Sequence, residues 1–99
     1  MAAALMMNDL GACMASALAY SPVLARWPDS AGAITSFIYN LGASRYYAST
    51  LRRRINQQDW LAAESEIQRW VYSKGKRLPG LIVRRRKEAE LLLAGPLRA

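Results

Sequence analysis

The chain has 99 residues, enough for one small domain or one lobe of a larger one, and its 53% apolar content argues for a folded globule. Fourteen Lys and Arg against seven Asp and Glu give a net charge of +7, a surface suited to polyanions such as nucleic acid, acidic membrane or anionic wall polymer. No histidine is present and Cys13 is the one cysteine, which excludes His-containing zinc sites, Ser-His-Asp triads, Cys-His pairs and an internal disulfide.

Ala, Leu and Arg are abundant and β-branched runs are absent, so the expected fold class is all-α. Arg outnumbers Lys eleven to three, which suits bidentate or buried pairing. Cys13 reads as a small buried hydrophobe. No run approaches the ~18 uninterrupted apolar residues of a membrane-spanning helix. The first twenty residues resemble a weak signal peptide, with Ala15-Ser16-Ala17-Leu18-Ala19 before Tyr20. No basic residue precedes the apolar part and Asn8 and Asp9 interrupt it, so it is read as a helix instead.

Residues 2–20 are expected to form a leading helix, with Leu10, Met14 and Leu18 as a stripe every four residues facing a core. Met6 and Met7 read either as gap fillers or as an exposed helix end. Residues 21–32 hold Pro22, Pro28, Asp29, Ser30 and Gly32 and read as a connection, with Trp27 against the core and Ser30 capping the next helix. In residues 33–41, Ile34, Phe37, Ile38 and Leu41 fall at i, i+3, i+4 and i+7, one apolar stripe closed by Gly42. Arg45, Tyr46 and Tyr47 read as loop. A helix is expected over 49–57, carrying the Arg52-Arg53-Arg54 run, with Leu51 and Ile55 inward at i and i+4.

Asp59 is placed to cap the helix after that, whose buried face would be Trp60, Ala63, Ile67, Trp70 and Val71, ended by Gly75. Glu66 and Arg69 form an i, i+3 pair on its outside. Pro79 suits the first turn of a last helix with Leu81, Ile82, Ala89, Leu92 and Leu93 inward. Arg84–Glu88 and Arg86–Glu90 are i, i+4 pairs in the less favourable order, and Gly95-Pro96 stops the helix. The expectation is one lobe over 1–99, of about five short helices, with its helical core at 33–94.

Four stretches occur in order: Ala-Ile-Thr-Ser-Phe-Ile-Tyr-Asn-Leu-Gly (33–42), Ser-Thr-Leu-Arg-Arg-Arg-Ile-Asn (49–56), Arg-Trp-Val-Tyr (69–72) and Gly-Lys-Arg-Leu-Pro-Gly-Leu-Ile-Val-Arg-Arg-Arg-Lys-Glu-Ala-Glu (75–90). This series resembles the C-terminal helical lobe of phage-type lysozymes, the endolysin muramidases. The likeness covers about 33–93, and more loosely the helix and connection before it. It implies a two-lobed enzyme that cleaves the glycan strand of bacterial peptidoglycan, with no cofactor and no metal. The family's catalytic residues lie in the N-terminal lobe as Glu, eight residues, Asp, five residues, Thr. The Glu protonates the glycosidic oxygen, and the Asp and Thr help position water.

This sequence departs from that pattern. No Glu precedes Glu64, and nine residues after Glu64 stands Ser73 rather than Asp. Glu64 and Glu66, like Glu88 and Glu90, are two apart on a helix and splay onto different faces. The reading is therefore a C-terminal lobe without the catalytic acids, inactive alone, with peptidoglycan as a weak partner and a separate N-terminal catalytic lobe as a second one. The resemblance implies synthesis in a bacterial or host cytoplasm, with wall or periplasm as the site of action.

Five residues are candidates for binding substrate. Asn40 reads either as a solvent-facing cap or, as the resemblance implies, as an amide at the cleft wall. Trp70 reads as packing or as a ring for sugar, whereas Tyr72 lies off the apolar stripe and is the better cleft ring. Lys76, with Lys74 and Arg77, reads as a loop cation for wall polymer or for solubility. Arg84, Arg85 and Arg86 read as a solvated basic face, or as a group of which one, Arg84 first, faces the catalytic Glu and lowers its pKa. A basic helical nucleic-acid binder is the alternative function, although no base-reading Asn or Gln stands among the arginines. A rearranged helical scaffold is a third.

Overall fold

The computed structural model describes residues 9–97. The part of the leading helix expected over 2–8, with Met6 and Met7, lies outside the described residues. In order come α1 (Leu10–Tyr20), a 3-10 turn (Pro22–Arg26), α2 (Pro28–Leu41), α3 (Ala43–Tyr47), α4 (Thr50–Asn56) and α5 (Trp60–Ile67). A hairpin of β1 (Tyr72–Ser73) and β2 (Lys76–Arg77) comes next, and α6 (Pro79–Ala94) closes the lobe. The all-α expectation holds for the lobe, with this two-stranded hairpin added. No described helix is long and apolar enough to cross a membrane.

The centre of the lobe is α2, which packs along α6 on one side and across α1 on the other, while α5 closes against α4 and α6. Its apolar stripe is buried as expected, with Ile34, Phe37 and Ile38 at 0–2% exposure. The helix begins earlier than residue 33, because Pro28 pre-sets the first-turn φ and Asp29 complements the helix dipole. Ser30 is therefore not a cap. It lies buried one turn in, and its hydroxyl donates to the Leu92 carbonyl at 2.6 Å, tying α2 to α6. Gly42 ends α2 at φ +103, a conformation side chains rarely adopt.

The face that α1 buries also differs from expectation. Leu10 and Met14 are 59% and 45% exposed; Cys13 and Ala17 are the buried residues, and of the expected row only Leu18 packs, partly buried, against the core. The true stripe is one residue back, a rotation of about 100°. Burial, then the Asp9 carboxylate, push the Cys13 thiol up, consistent with a small core side chain. Asp9 caps the helix by accepting from the Gly11 amide at 2.8 Å.

Arg45–Tyr47 is not loop but most of α3, and Tyr46 is fully buried. Its ring meets Phe37 edge-on at 6.1 Å, and its hydroxyl shares a 2.6 Å hydrogen bond with Ser21. Burial pushes the phenol up to about 12, although the Ser21 hydrogen bond and the Arg52 charge pull it partly back. An unfolded tyrosine releases its proton near 10. The stability this group supplies is thus intact below about pH 10 and lost between about 10 and 12, at up to about 1.4 kcal/mol per pH unit. Unfolding curves from pH 8.5 to 11.5 should fall more steeply for the native chain than for Tyr46→Phe; parallel slopes would refute the assignment.

Helices α4 and α5 meet through a tight reversal. The Asp59 amide donates to the Arg54 carbonyl and the Gln58 amide to that of Ile55, the 6→1 and 5→2 pattern of a Schellman ending, with Gln58 at φ 59. Ser49 caps α4 and Asp59 caps α5, as the sequence indicates. The helix α5 stops at Ile67, however, and Gly75 does not end it. Trp70 and Val71 lie beyond it, and Lys74 and Gly75 form the two-residue turn of the hairpin at φ 52 and 79. Positive φ at both central positions is what a type I′ hairpin turn requires.

Pro79 occupies the first turn of α6, after Leu78 as N-cap. The helix ends at Ala94 with Gly95 as its C-cap, as expected, although Gly95 has an ordinary right-handed φ. Its role is space, since a Cβ there would lie 2.9 Å from the Trp27 ring, which packs against the core from its connection.

Candidate functional site

The five candidate residues do not converge on one point. Asn40 is exposed at the end of α2, and Lys76 is exposed on β2. Trp70 is half-buried, set perpendicular to Phe37 at 5.4 Å, so one part of the ring serves the core. Another part helps line a groove of about 320 Å³ with Thr50, Glu66 and Arg69. Tyr72 is 62% exposed and lines a second groove, of about 500 Å³, with Gln68, Arg69, Val71 and Arg77. Arg69 is common to the two, so Trp70 and Tyr72 stand in adjoining depressions. Asn40 and Lys76 line neither.

Arg84 is on another part of the surface. It borders a groove of about 290 Å³ with Ser36, Lys87, Glu88 and Leu91, and its Nε is 3.8 Å from the Glu88 carboxylate. The expectation of a uniformly solvated basic face over 84–86 is corrected here. Arg85 is fully buried and Glu88 is 4% exposed. Arg85 Nη2 donates to Glu88 Oε2 at 3.0 Å, and its Nε lies 2.7 Å from Oε1 as an ion pair, at an angle unsuited to a hydrogen bond. Ser36 donates to the same Oε2 at 2.5 Å. The guanidinium carbon is 5.4 Å from the Phe37 ring centre. Burial pulls the Arg85 guanidinium below its usual range, while Glu88 pushes it back up. An arginine keeps its charge in a protein, so the buried cation depends on that one carboxylate.

Sequence reasoning passed over Arg69 and Gln68 as site residues, and Arg85 with Glu88 as a buried pair, and it named Arg77 only as a loop cation beside Lys74 and Lys76. The signal for the pair was present: Leu81, Arg85, Ala89 and Leu92 share the apolar face of α6 at i, i+4, i+8 and i+11. Nothing local brings Arg69 beside Arg77, because they meet only through the hairpin.

The comparisons with known proteins agree with this architecture. A sequence model described as phage lysozyme matches residues 1–88. A SAR-endolysin of Bacteriophage PS34 is 47% identical over 64 residues, 65% of this chain and 38% of that protein. A SAR-endolysin of Enterobacteria phage P21 is 45% identical over 64 residues, covering 65% and 39% respectively. An endolysin of Bacillus phage B103 is 38% identical over 63 residues, 64% of this chain and 24% of that protein. The chain spans about two fifths of the length of the SAR-endolysins it matches.

Proposed function

Because the chain belongs to the phage lysozyme family, we propose that it is the C-terminal helical lobe of an endolysin that hydrolyses the glycan strand of peptidoglycan, and that it needs a catalytic lobe to do so. The observation that carries this reading is the family match joined to the acid pattern. The 99 residues hold no Glu, eight residues, Asp, five residues, Thr, and their four glutamates begin at Glu64. Of these, Glu88 is committed to Arg85 and is not available as an acid.

In this reading the chain supplies one wall of the substrate cleft and acts at the cell wall. Trp70 and Tyr72 offer ring faces to sugars, Asn40 an amide to hydroxyl or N-acetyl groups, and Lys76 a cation to the anionic wall. Arg84 keeps its guanidinium at the surface beside Glu88, where it can face an acid of the other lobe, lower that acid's pKa and help hold the two lobes together. The test is reducing-end release from purified peptidoglycan. The chain alone should release none, and joining it to the N-terminal lobe of a related endolysin should produce release. Muramidase activity from the 99 residues by themselves would overturn the proposal.

A further inference from the structure

The groove beneath Tyr72 brings together groups that no single element carries. Arg69 comes from the segment after α5, Tyr72 from β1 and Arg77 from β2, and buried Val71 and Gln68 complete the lining. Tyr72 and Arg77 are directly paired across the hairpin, so their side chains leave the same face. The type I′ turn at Lys74-Gly75 holds that register.

The two guanidiniums are available. Arg69 is 74% exposed and meets Glu66 only at 3.5 Å, a solvated pair of small worth. Arg77 makes no ion pair among the described residues. No carboxylate occurs anywhere from Ile67 to Lys87, a stretch with eight Lys and Arg. The groove is a solvent-open depression of about 500 Å³, so the two guanidiniums line a shared hollow.

We infer that this groove is a subsite for a carboxylate carried beside a sugar ring, and specifically for the carboxylates of the stem peptides on the glycan strand. The inference rests on the wall-binding reading above and names the part of the polymer taken. Guanidinium forks match carboxylates bidentately, which a scattered set of lysines would not do. The Tyr72 ring supplies an apolar face for the sugar. Gln68 Nε2 is used on Glu64 at 3.3 Å, which leaves its carbonyl oxygen to accept from a ligand hydroxyl or amide.

The test uses the whole chain, labelled with nitrogen-15, and two probes: a soluble disaccharide–tetrapeptide muropeptide, and the same compound with its carboxylates amidated. The acidic probe should shift the backbone amides of residues 68–77, and amidation should weaken binding at least tenfold. Arg69→Gln and Arg77→Gln should each weaken the acidic probe several-fold while far-UV circular dichroism stays unchanged, since both side chains are exposed. Equal binding of the two probes, or shifts confined to the Ser36–Arg84 groove, would overturn the inference. Sedimentation with intact sacculi separates the two levels. Native chain and both variants sedimenting alike would sink the subsite and spare the wall reading; a native chain that fails to sediment sinks both. Tighter binding to a duplex DNA than to the muropeptide, lost in the same variants, would mean that the groove takes phosphate instead.

Discussion

Replacing Glu88 by alanine is expected to lower the unfolding free energy by about 3–5 kcal/mol, the cost of leaving a buried charge without its partner. Arg85 has no exposure, and its guanidinium lies between Glu88 and the face of Phe37, so it cannot turn to water without opening the α2–α6 seam. The same substitution deprives the Ser36 hydroxyl of its acceptor. A chain of this size has a total stability of about 5–15 kcal/mol, so the variant should melt some 15–30 °C lower or fail to accumulate. The pair is not itself a large source of stability, since desolvating both ions offsets most of their attraction. Replacing both partners together, Arg85→Met with Glu88→Leu, should therefore recover most of the loss. Urea unfolding followed by circular dichroism decides it: a single Glu88→Ala variant within about 1 kcal/mol of the native chain would mean that water reaches Arg85.

Phe37→Ala should cost about 3–5 kcal/mol, the range for deleting a large buried ring. Phe37 has no exposure and is the residue on which three separate parts of the lobe meet. Tyr46 of α3 stands against it at 6.1 Å, Trp70 at 5.4 Å and the Arg85 guanidinium at 5.4 Å. Collapse of the resulting cavity is opposed because two of these neighbours are held elsewhere: Tyr46 by Ser21, and Arg85 by Glu88. Phe37→Leu keeps most of the volume and should cost much less, about 1 kcal/mol. Trp70 loses its perpendicular partner in both variants, so tryptophan emission should shift even where stability is largely retained. Equal losses for the alanine and leucine variants would show that ring contact, and not volume, dominates.

Much of the lobe was legible because its signals are local. The Ile34–Phe37–Ile38 stripe, the caps at Ser49 and Asp59, the proline at the start of α6 and Leu51 with Ile55 all express spacing or backbone chemistry within one turn. Readings failed where two periodic choices competed or where a distant partner intervened. On α1 the row Leu10–Met14–Leu18 is more apolar than Cys13–Ala17, yet packing buries Cys13 and Ala17 and leaves Leu10 and Met14 exposed. Around Gly75 a helix ending and a hairpin turn both use a glycine with positive φ, and Lys-Gly lacks the Asn or Asp that would have marked the hairpin. Tyr46 reads as loop from its neighbours alone, because the partner that fixes its hydroxyl, Ser21, is 25 residues away.

The order of residues alone carries the helical class, the +7 charge, the lack of a Glu–Asp–Thr pattern and the motifs that point to an endolysin lobe. All of these are properties of single residues or of neighbours along the chain. Which arginine of the 84–86 run is buried, which face of α1 is covered, and that Arg69, Tyr72 and Arg77 share one groove are decided only by packing. The physical reason is the same in each case. A charge, a ring or a small side chain has no fixed worth until another element, folded against it, removes its water or supplies its partner.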